Sequence, residues 1–518
     1  MASILLLFIT LLLSSLLFFF FNDKKKSKNK ADHQPPLPPC PRGWPILGNL
    51  PQLGSKPHQT LHTLSKTYGP LFRLRLGSVT VVVASSASVA SQFLRSLDTN
   101  FSDRPQNSAA EYMAYNHQSL VFSPYGPRWR MLRRLCTFHL FSTKALDDLR
   151  HVRQEEVALL AGRLRQAEGA VLNVGKEVNA SVTNALTRTL LKRRVFEEED
   201  GPDGGEFKKV LVEILKLSAA FNIEDFIPFL KALDVRGIIL KMKRIHRWYD
   251  DIISKIMEEH KSVVGIRGVG EGEDFLSMLL RLKETNNRDE EEAKLNDTII
   301  KALLTDLFTA GSDTTSNTVE WALAELLRHP DILVAAQKEL DSVVGLSRLV
   351  SESDLANVPL LQAIMKETFR LHPGVPLALP HLSSEPCEVS GFHIPEGSTL
   401  IINIWSISRD PEIWSCPLEF NPGRFLPGGK HANVDVKGGH FELIPFGAGR
   451  RICAGMRLGM RMSTLAVASL VHAFDWFLPE GLTSENLDME EDFGLTLPRV
   501  SPLKARVTPR LADEAYII

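Results

Sequence analysis

The run PFGAGRRICAG, residues 445–455, decides the fold. It sets Cys453 behind Arg450 and Arg451 and among Gly447, Gly449 and Gly455, in a chain that holds only five cysteines. A thiol so placed reads three ways: as a nucleophile, as a metal ligand, or as a small buried hydrophobe. Glycines, having no Cβ, let backbone approach something flat and bulky. Residues 456–474 carry a helical period, so a helix begins just past the sulfur, turning the N–H groups of Ile452 to Gly455 toward it and favouring a thiolate. The arginines suit a lowered thiol pKa or an anionic group nearby. A nucleophile would need a histidine base, and spacing alone does not bring His372, His381 or His440 to Cys453. A flat cofactor accounts for more of the residues.

Beyond this run the composition is that of a large folded chain. With 518 residues, 44% hydrophobic and 23% charged, it can bury a sizeable core and lacks the signature of disorder. A formal net charge of −1 gives no global field toward nucleic acid, so any charge-driven contact is local. Cys40, Cys136, Cys387, Cys416 and Cys453 are odd in number, widely spaced and without CxxC or CxxH spacing. That argues against zinc, iron–sulfur clusters and a disulfide framework, and for a reducing compartment.

Residues 2–21, ASILLLFITLLLSSLLFFFF, form an uncharged apolar run long enough to cross a bilayer as one helix. Lys24, Lys25, Lys26, Lys28 and Lys30 follow it, whereas a cleaved signal has its basic residues in front. By the positive-inside rule they keep the rest of the chain in the cytosol. The expectation is a transmembrane anchor over 1–22, a basic and proline-rich linker over 23–50, stiffened by its prolines, and one catalytic domain over 51–518. LFRLRLGS and VTVVVA (71–84) read as strands, and helical periodicity dominates from about 206 to 500. Acidic patches at 197–205, 268–274 and 286–292 read as solvated loops too short to separate domains.

Residues 297–329 read as one long helix, N-capped by Asp297 and stopped by Pro330. Within it AGSDTT (310–315) spends about 1 kcal/mol or more of helix propensity, so a demand other than helix stability placed it there. A local bulge is expected, with Thr314 or Ser316 bonding back to a carbonyl four residues earlier and Gly311 opening space; packing against a neighbouring helix reads equally well. KETFRLHP (366–373) sets Glu367 and Arg370 three apart on one helical face, within pairing reach. WRMLR (129–133) sets Trp129 and Arg133 one turn apart, by itself a basic amphipathic helix with a core tryptophan.

Phe446, Gly449, Arg451, Cys453 and Gly455 fill FxxGxRxCxG, which resembles the haem-binding signature of the cytochrome P450 monooxygenases. The resemblance implies haem b (iron protoporphyrin IX), with the Cys453 thiolate as its metal ligand and Phe446, Gly449, Arg451 and Gly455 around it. AGSDTT is similar to the family's oxygen-side helix, which implies that Asp313 and Thr314 deliver protons during oxygen activation. Glu367 and Arg370 resemble the family's ExxR, and FNPGRF (420–425) supplies Arg424 to complete a bracing network, although Gly423 stands where an acidic residue is common. Trp129 and Arg133 are implied at haem propionates. His381 stands where relatives generally carry a propionate-facing arginine, and still offers a hydrogen bond. The implied fold is mainly α with a small β region near the N-terminal part, a single large globular domain behind the transmembrane helix.

VVVASSASVASQFLR (81–95), LVFSPYGPRWRMLRRL (120–135) and the run from 428 to 455 further resemble plant flavonoid 3'-hydroxylases. That resemblance implies NADPH- and O2-dependent hydroxylation of a flavanone, flavone or dihydroflavonol at C3' of the B-ring. It also implies electrons from an NADPH-cytochrome P450 reductase through a basic face near Arg450 and Arg451. The expected location is the endoplasmic reticulum membrane, single-pass and held in lipid, with the catalytic domain facing the cytosol. Phe308, Ala310, Val375, Leu379 and Leu497 are expected to line the pocket, apolar as a planar aromatic guest requires. The alternatives are a flavonoid 3',5'-hydroxylase or another phenolic hydroxylase, a haem-thiolate isomerase, which the Asp313 and Thr314 pair argues against, and a membrane haem protein without turnover.

Overall fold

The computed structural model describes residues 35–194, 202–220, 222–231, 233–267, 274–285 and 294–516. The anchor expected over 1–22 and the linker to residue 34 lie outside the described residues, as do 268–273 and the acidic patch at 286–292. Among the described residues no helix is long and apolar enough to cross a membrane.

Helices dominate: α1 (Pro57–Tyr68), α2 (Pro127–His139), α3 (Arg150–Gln166), α4 (Val174–Leu191), α5 (Pro202–Ala219), α6 (Ile238–Arg267), α7 (Phe275–Thr285), α8 (Asp297–Arg328), α9 (Pro330–Val344), α10 (Pro359–Leu371) and α11 (Met456–Ala473). Residues 202–205, expected in a loop, instead form the first turn of α5, where Pro202 suits the first helical position because its missing N–H has no intrahelical partner anyway. The strands are β1 (Leu71–Leu76), β2 (Val79–Ala84), β3 (Leu172–Asn173), β4 (His381–Leu382), β5 (Cys387–Val389), β6 (Phe392–Ile394), β7 (Thr399–Ile402), β8 (Phe474–Phe477) and β9 (Lys504–Pro509).

The main sheet has the order β1-β2-β7-β4. β1 and β2 are antiparallel around Gly77, whose φ of 59° and 2.2 Å approach to Phe226 O would strain any side chain. β7 joins β2 in parallel, Val82 opposite Leu400, and β4 closes the far edge antiparallel. The β region is thus not confined to the N-terminal part: half of this sheet comes from residues 381–402, and β3-β9-β8 form another small sheet.

α8 organises the interior. Its N-cap is Asn296, whose Oδ1 accepts from Ile299 N at 2.9 Å, so Asp297 sits one position inside, where a carboxylate suits the positive helix end. The helix ends at Arg328, and Pro330 opens α9 at once. Ile299 to Phe308 pack into a core shared with α2, α5, α6 and α7, whereas Val319 to Leu327 pack into a second core with α3, α4, α9, α10 and α11. Residues 309–318 contribute to neither core. Over that span α8 keeps its α-helical pattern, so the expected bulge is absent; the Oγ atoms of Thr314, Thr315 and Ser316 donate to carbonyls four residues back at 2.7, 2.9 and 3.0 Å.

Candidate active site

The stretch of α8 that joins neither core faces an internal cavity of about 320 Å³, whose opposite wall is the Cys453 loop. Ala310, Val375 and Leu379 line it as expected; Phe308 and Leu497 do not. Phe308 lies two residues before Ala310, about 200° around the helix, and is buried edge-on against Phe207 at 5.3 Å. Leu497 is buried behind α8, its N–H donating to Gly374 O at 3.1 Å and its carbonyl accepting from Trp321 Nε1 at 2.8 Å.

Cys453 has its exposed surface toward this cavity rather than toward bulk water. Burial pushes the free thiol up, opposed by the backbone N–H groups of Gly455 and Met456 and by Arg133. Gly455 is among the donors expected from the sequence, and Met456, the first residue of α11, joins it. Cys453 N donates to Phe446 O at 3.0 Å, closing the loop, and the Phe446 ring meets Phe369 of α10 at 5.2 Å. Gly449 has φ of 69°, and a Cβ there would lie 2.5 Å from Leu94 O, so only glycine fits. Gly455 has an ordinary φ of −84° and room for a Cβ beside Phe141, so its own surroundings do not demand glycine, yet it lines the cavity beside the sulfur. There it leaves space for something outside the protein. All five cysteines are free.

Basic groups converge on the same cavity. Arg451 donates through Nε to Ser102 O at 2.6 Å and through Nη2 to Ser123 O at 2.7 Å, lies 4.8 Å over the Trp129 ring, and keeps a buried Nη1 without a partner. Burial pulls its pKa down to about 10. Arg133 donates to Ile452 O at 2.6 Å. Arg104, which the sequence analysis missed, donates to Leu379 O at 2.8 Å and Pro380 O at 2.6 Å; burial, with Arg451 beside it, lowers it to about 9. His381 opens β4, and burial followed by the charge of Arg104 pulls it down to about 3. The ring is therefore neutral, and its single N–H goes through Nδ1 to Phe101 O at 2.7 Å, leaving Nε2 an acceptor. The hydrogen bond expected from His381 to a propionate is thus already used. Arg450 points the other way, half-exposed and paired with Asp98 at 3.2 Å, so the basic outer face near it excludes Arg451.

Arg104, Arg133 and Arg451 line one cavity, are desolvated, and form no ion pair among the described residues. Buried cations left unpaired are costly. An orphaned guanidinium nitrogen, a sulfur across from α8 and a side-chain-free Gly455 fit a flat, iron-holding group with acidic substituents, which is haem.

On α8, Thr314 lines the cavity while Asp313 does not. Adjacent helical residues diverge by about 100°, and Asp313 Oδ2 accepts instead from Thr496 Oγ1 at 2.6 Å and Asn317 Nδ2 at 3.1 Å. Burial pushes its carboxyl up. The two residues expected to act together therefore face different ways. The carboxyl that does face the cavity is Asp306, eight residues before Thr314 and on its face.

Behind the cysteine loop the predicted network is assembled. Glu367, fully buried, accepts from Arg370 Nε at 2.7 Å and Nη2 at 2.8 Å, from Arg424 Nε at 3.2 Å and from Asn421 N at 2.9 Å. Gly423 lies in the short turn Pro422–Phe425, with its N–H donating to Asn421 Oδ1 at 3.0 Å, so the missing acidic residue leaves the network whole.

The family model "Cytochrome P450" matches residues 38–503. The chain is 59% identical over 493 residues to a flavonoid 3'-monooxygenase of Crocosmia x crocosmiiflora, covering 94% of this chain and 96% of the relative. It is 56% identical to a flavonoid 3'-monooxygenase of Petunia hybrida (93% and 94%) and 53% identical to a flavonoid 3',5'-hydroxylase of Crocosmia x crocosmiiflora (93% and 92%). A solved zebrafish cytochrome P450 with progesterone superposes at a TM-score of 0.75 and 26% identity, covering 88% of this chain and 99% of that one. A desolvated thiol opposite a hydroxyl-bearing helix, unpaired arginines between them and a family match over nearly the whole described chain lead to one conclusion: the chain belongs to the cytochrome P450 family and is a haem-thiolate monooxygenase.

Proposed function

We propose that the chain hydroxylates C3' of the flavonoid B-ring, taking flavanones, flavones and dihydroflavonols and drawing electrons from an NADPH-cytochrome P450 reductase. The observation that carries this reading is that relatives at 59, 57 and 56% identity are all flavonoid 3'-monooxygenases, with two more at 53 and 52%, whereas flavonoid 3',5'-hydroxylases stand at 53 and 45%. In this reading residues 1–22 anchor the protein in the endoplasmic reticulum membrane, 23–50 link, and 51–518 form the catalytic domain facing the cytosol.

When bound, haem held by the Cys453 thiolate supplies the activation of dioxygen. The chain's own residues do the rest. Arg104, Arg133 and Arg451 neutralise the propionates, and Trp129 backs Arg451. Thr314 Oγ1 spends its own proton on Ala310 O, so toward the cavity it presents lone pairs that hold a water or hydroxyl proton in place. Asp313 is the proton reservoir; its carboxyl, raised by burial, must turn from Thr496 to reach Thr314. Ala310, Val375 and Leu379 present apolar walls that exclude water and accept a planar ring.

Reconstituted protein with a reductase, NADPH and the flavanone naringenin tests this by mass spectrometry. A single oxygen added to the B-ring is expected. Two additions would favour a 3',5'-hydroxylase, and an absence of oxygenated product from any flavonoid would remove the proposal.

A further inference from the structure

The cavity-facing carboxyl of Asp306 is outside the proton path and touches neither the cysteine loop nor the propionate arginines. It meets one segment, residues 119–121. Its Oδ2 accepts from Val121 N at 2.8 Å, and Ser119 and Leu120 lie close enough to oppose the upward push of burial on its carboxyl. A carboxylate meets the Val121 N–H with an acceptor at either oxygen, whereas an amide offers one acceptor and an NH2. From the other side Arg104 Nε donates to Val121 O at 3.3 Å while its Nη1 holds Leu379 O and Pro380 O. The Val121 peptide is therefore gripped at both ends, by the oxygen-side helix and by the wall that follows α10. Leu120, Val121 and Leu379 all line the cavity.

The chain just before this segment is strained. Tyr115, Asn116 and His117 have φ of 51°, 56° and 59°, three successive non-glycine residues in the left-handed region. Each costs roughly 1–2 kcal/mol, and such backbone persists only where its surroundings over-determine it. Tyr115 is fastened to Asp250 at 2.9 Å at one end. The clamp on Val121 fastens the other.

We infer that Asp306 is a specificity-determining positioning residue: together with Arg104 it clamps the 119–121 segment and so fixes the width of the cavity in which the substrate ring lies. It acts through Val121, and the burial of its carboxyl, which pushes the pKa up to about 7, is the cost of placing an acceptor against the buried Val121 N–H. The inference rests on the flavonoid reading only in the choice of substrates.

The test uses full-length, haem-loaded wild type, Asp306→Ala and Asp306→Asn. Hydrogen–deuterium exchange is followed over residues 118–123, and KM and kcat are measured for a flavanone, a flavone and a dihydroflavonol. In the alanine variant, exchange at Val121 rises about ten-fold or more, as loss of a buried charge-assisted bond implies. KM moves more than kcat, and the KM ratios among the three substrates shrink toward one. The asparagine variant, which keeps one acceptor, falls between, and it carries the test if the alanine variant loses haem. Unchanged protection overturns the clamp. Faster exchange with unchanged KM ratios reduces Asp306 to a purely structural residue, and a fall in kcat at constant KM moves it into the chemistry; either result overturns the inference. If wild type oxidises no flavonoid, the proposed function fails, while the exchange comparison still judges the clamp.

Discussion

Replacing Arg370 by alanine should destroy the haem-loaded fold, and the structure says by how much. The Arg370 side chain is fully buried and makes five hydrogen bonds: two to Glu367, then to Ser408 O at 2.8 Å, Pro417 O at 2.7 Å and Glu419 O at 3.0 Å. Truncation leaves the Glu367 carboxylate with only Arg424 and Asn421 N, and breaking a buried pair in this way costs about 3–5 kcal/mol. Each carbonyl left without its donor adds about 1–3 kcal/mol. The sum is comparable with the roughly 5–15 kcal/mol that holds a typical fold together. Lysine keeps the charge but not the planar fork, so Arg370→Lys should fall well short of wild type and still fold. The assay is thermal unfolding together with the carbon monoxide difference band of the reduced protein. Haem reports the loss because Phe369, one residue before Arg370, packs on Phe446 beside the cysteine. An Arg370→Ala protein that keeps its haem and unfolds within about 1 kcal/mol of wild type would refute the reasoning.

Three further outcomes follow from the same geometry. Cys453→Ala abolishes the carbon monoxide band that gives the family its name, since no other cysteine lines the cavity; survival of that band would mean a different ligand. Thr314→Ala keeps haem and NADPH consumption but yields roughly ten-fold or less product per NADPH, with peroxide accounting for the difference, and normal coupling would remove Thr314 from proton delivery. Glu491 lies far from the cavity in a buried cluster with His58 at 3.0 Å, Trp405 Nε1 at 3.0 Å and Arg409 at 3.4 Å. Burial alone would raise its carboxyl, but His58, Arg409, His372 and Trp405 bring it down to about 2. Its contribution to stability is therefore present at and above the ordinary glutamate range and lost as pH falls toward 2. Glu491→Gln should be less stable than wild type at pH 7, with the gap closing on acidification; a gap that widens in acid would show the sign to be wrong.

How much of this was legible depends on the range of the signal. The cysteine loop, α8 and the Glu367 and Arg370 pair were readable because their information is local: glycines beside a thiol, a long helical period, a spacing of three. Arg424 was found only through the family pattern, because nothing within FNPGRF indicates a partner 57 residues away. Arg104 is the same case at greater distance, with its carbonyl partners 275 and 276 residues downstream. Local spacing carries no such information, and an arginine in a loop before a helix looks like any solvated charge.

The pocket errors are different, because there the signal was present. Once Ala310 and Thr314 are placed on the oxygen side, the helical period decides which neighbours share their face. Asp306, Ala310 and Thr314 are separated by four and four, about 40° apart in succession, whereas Phe308 is about 200° from Ala310 and Asp313 about 100° from Thr314. Apolarity selected Phe308 for the pocket and chemistry selected Asp313, which faces Thr496, while the cavity-lining carboxyl of Asp306 went unread. A carboxylate in the mostly apolar run LLTDLF is expensive unless a donor meets it, and that cost was the sequence's trace of the 119–121 clamp. A polar residue aligned by the helical period with a site, and opposed to the composition around it, is evidence about the site's walls as well as its chemistry.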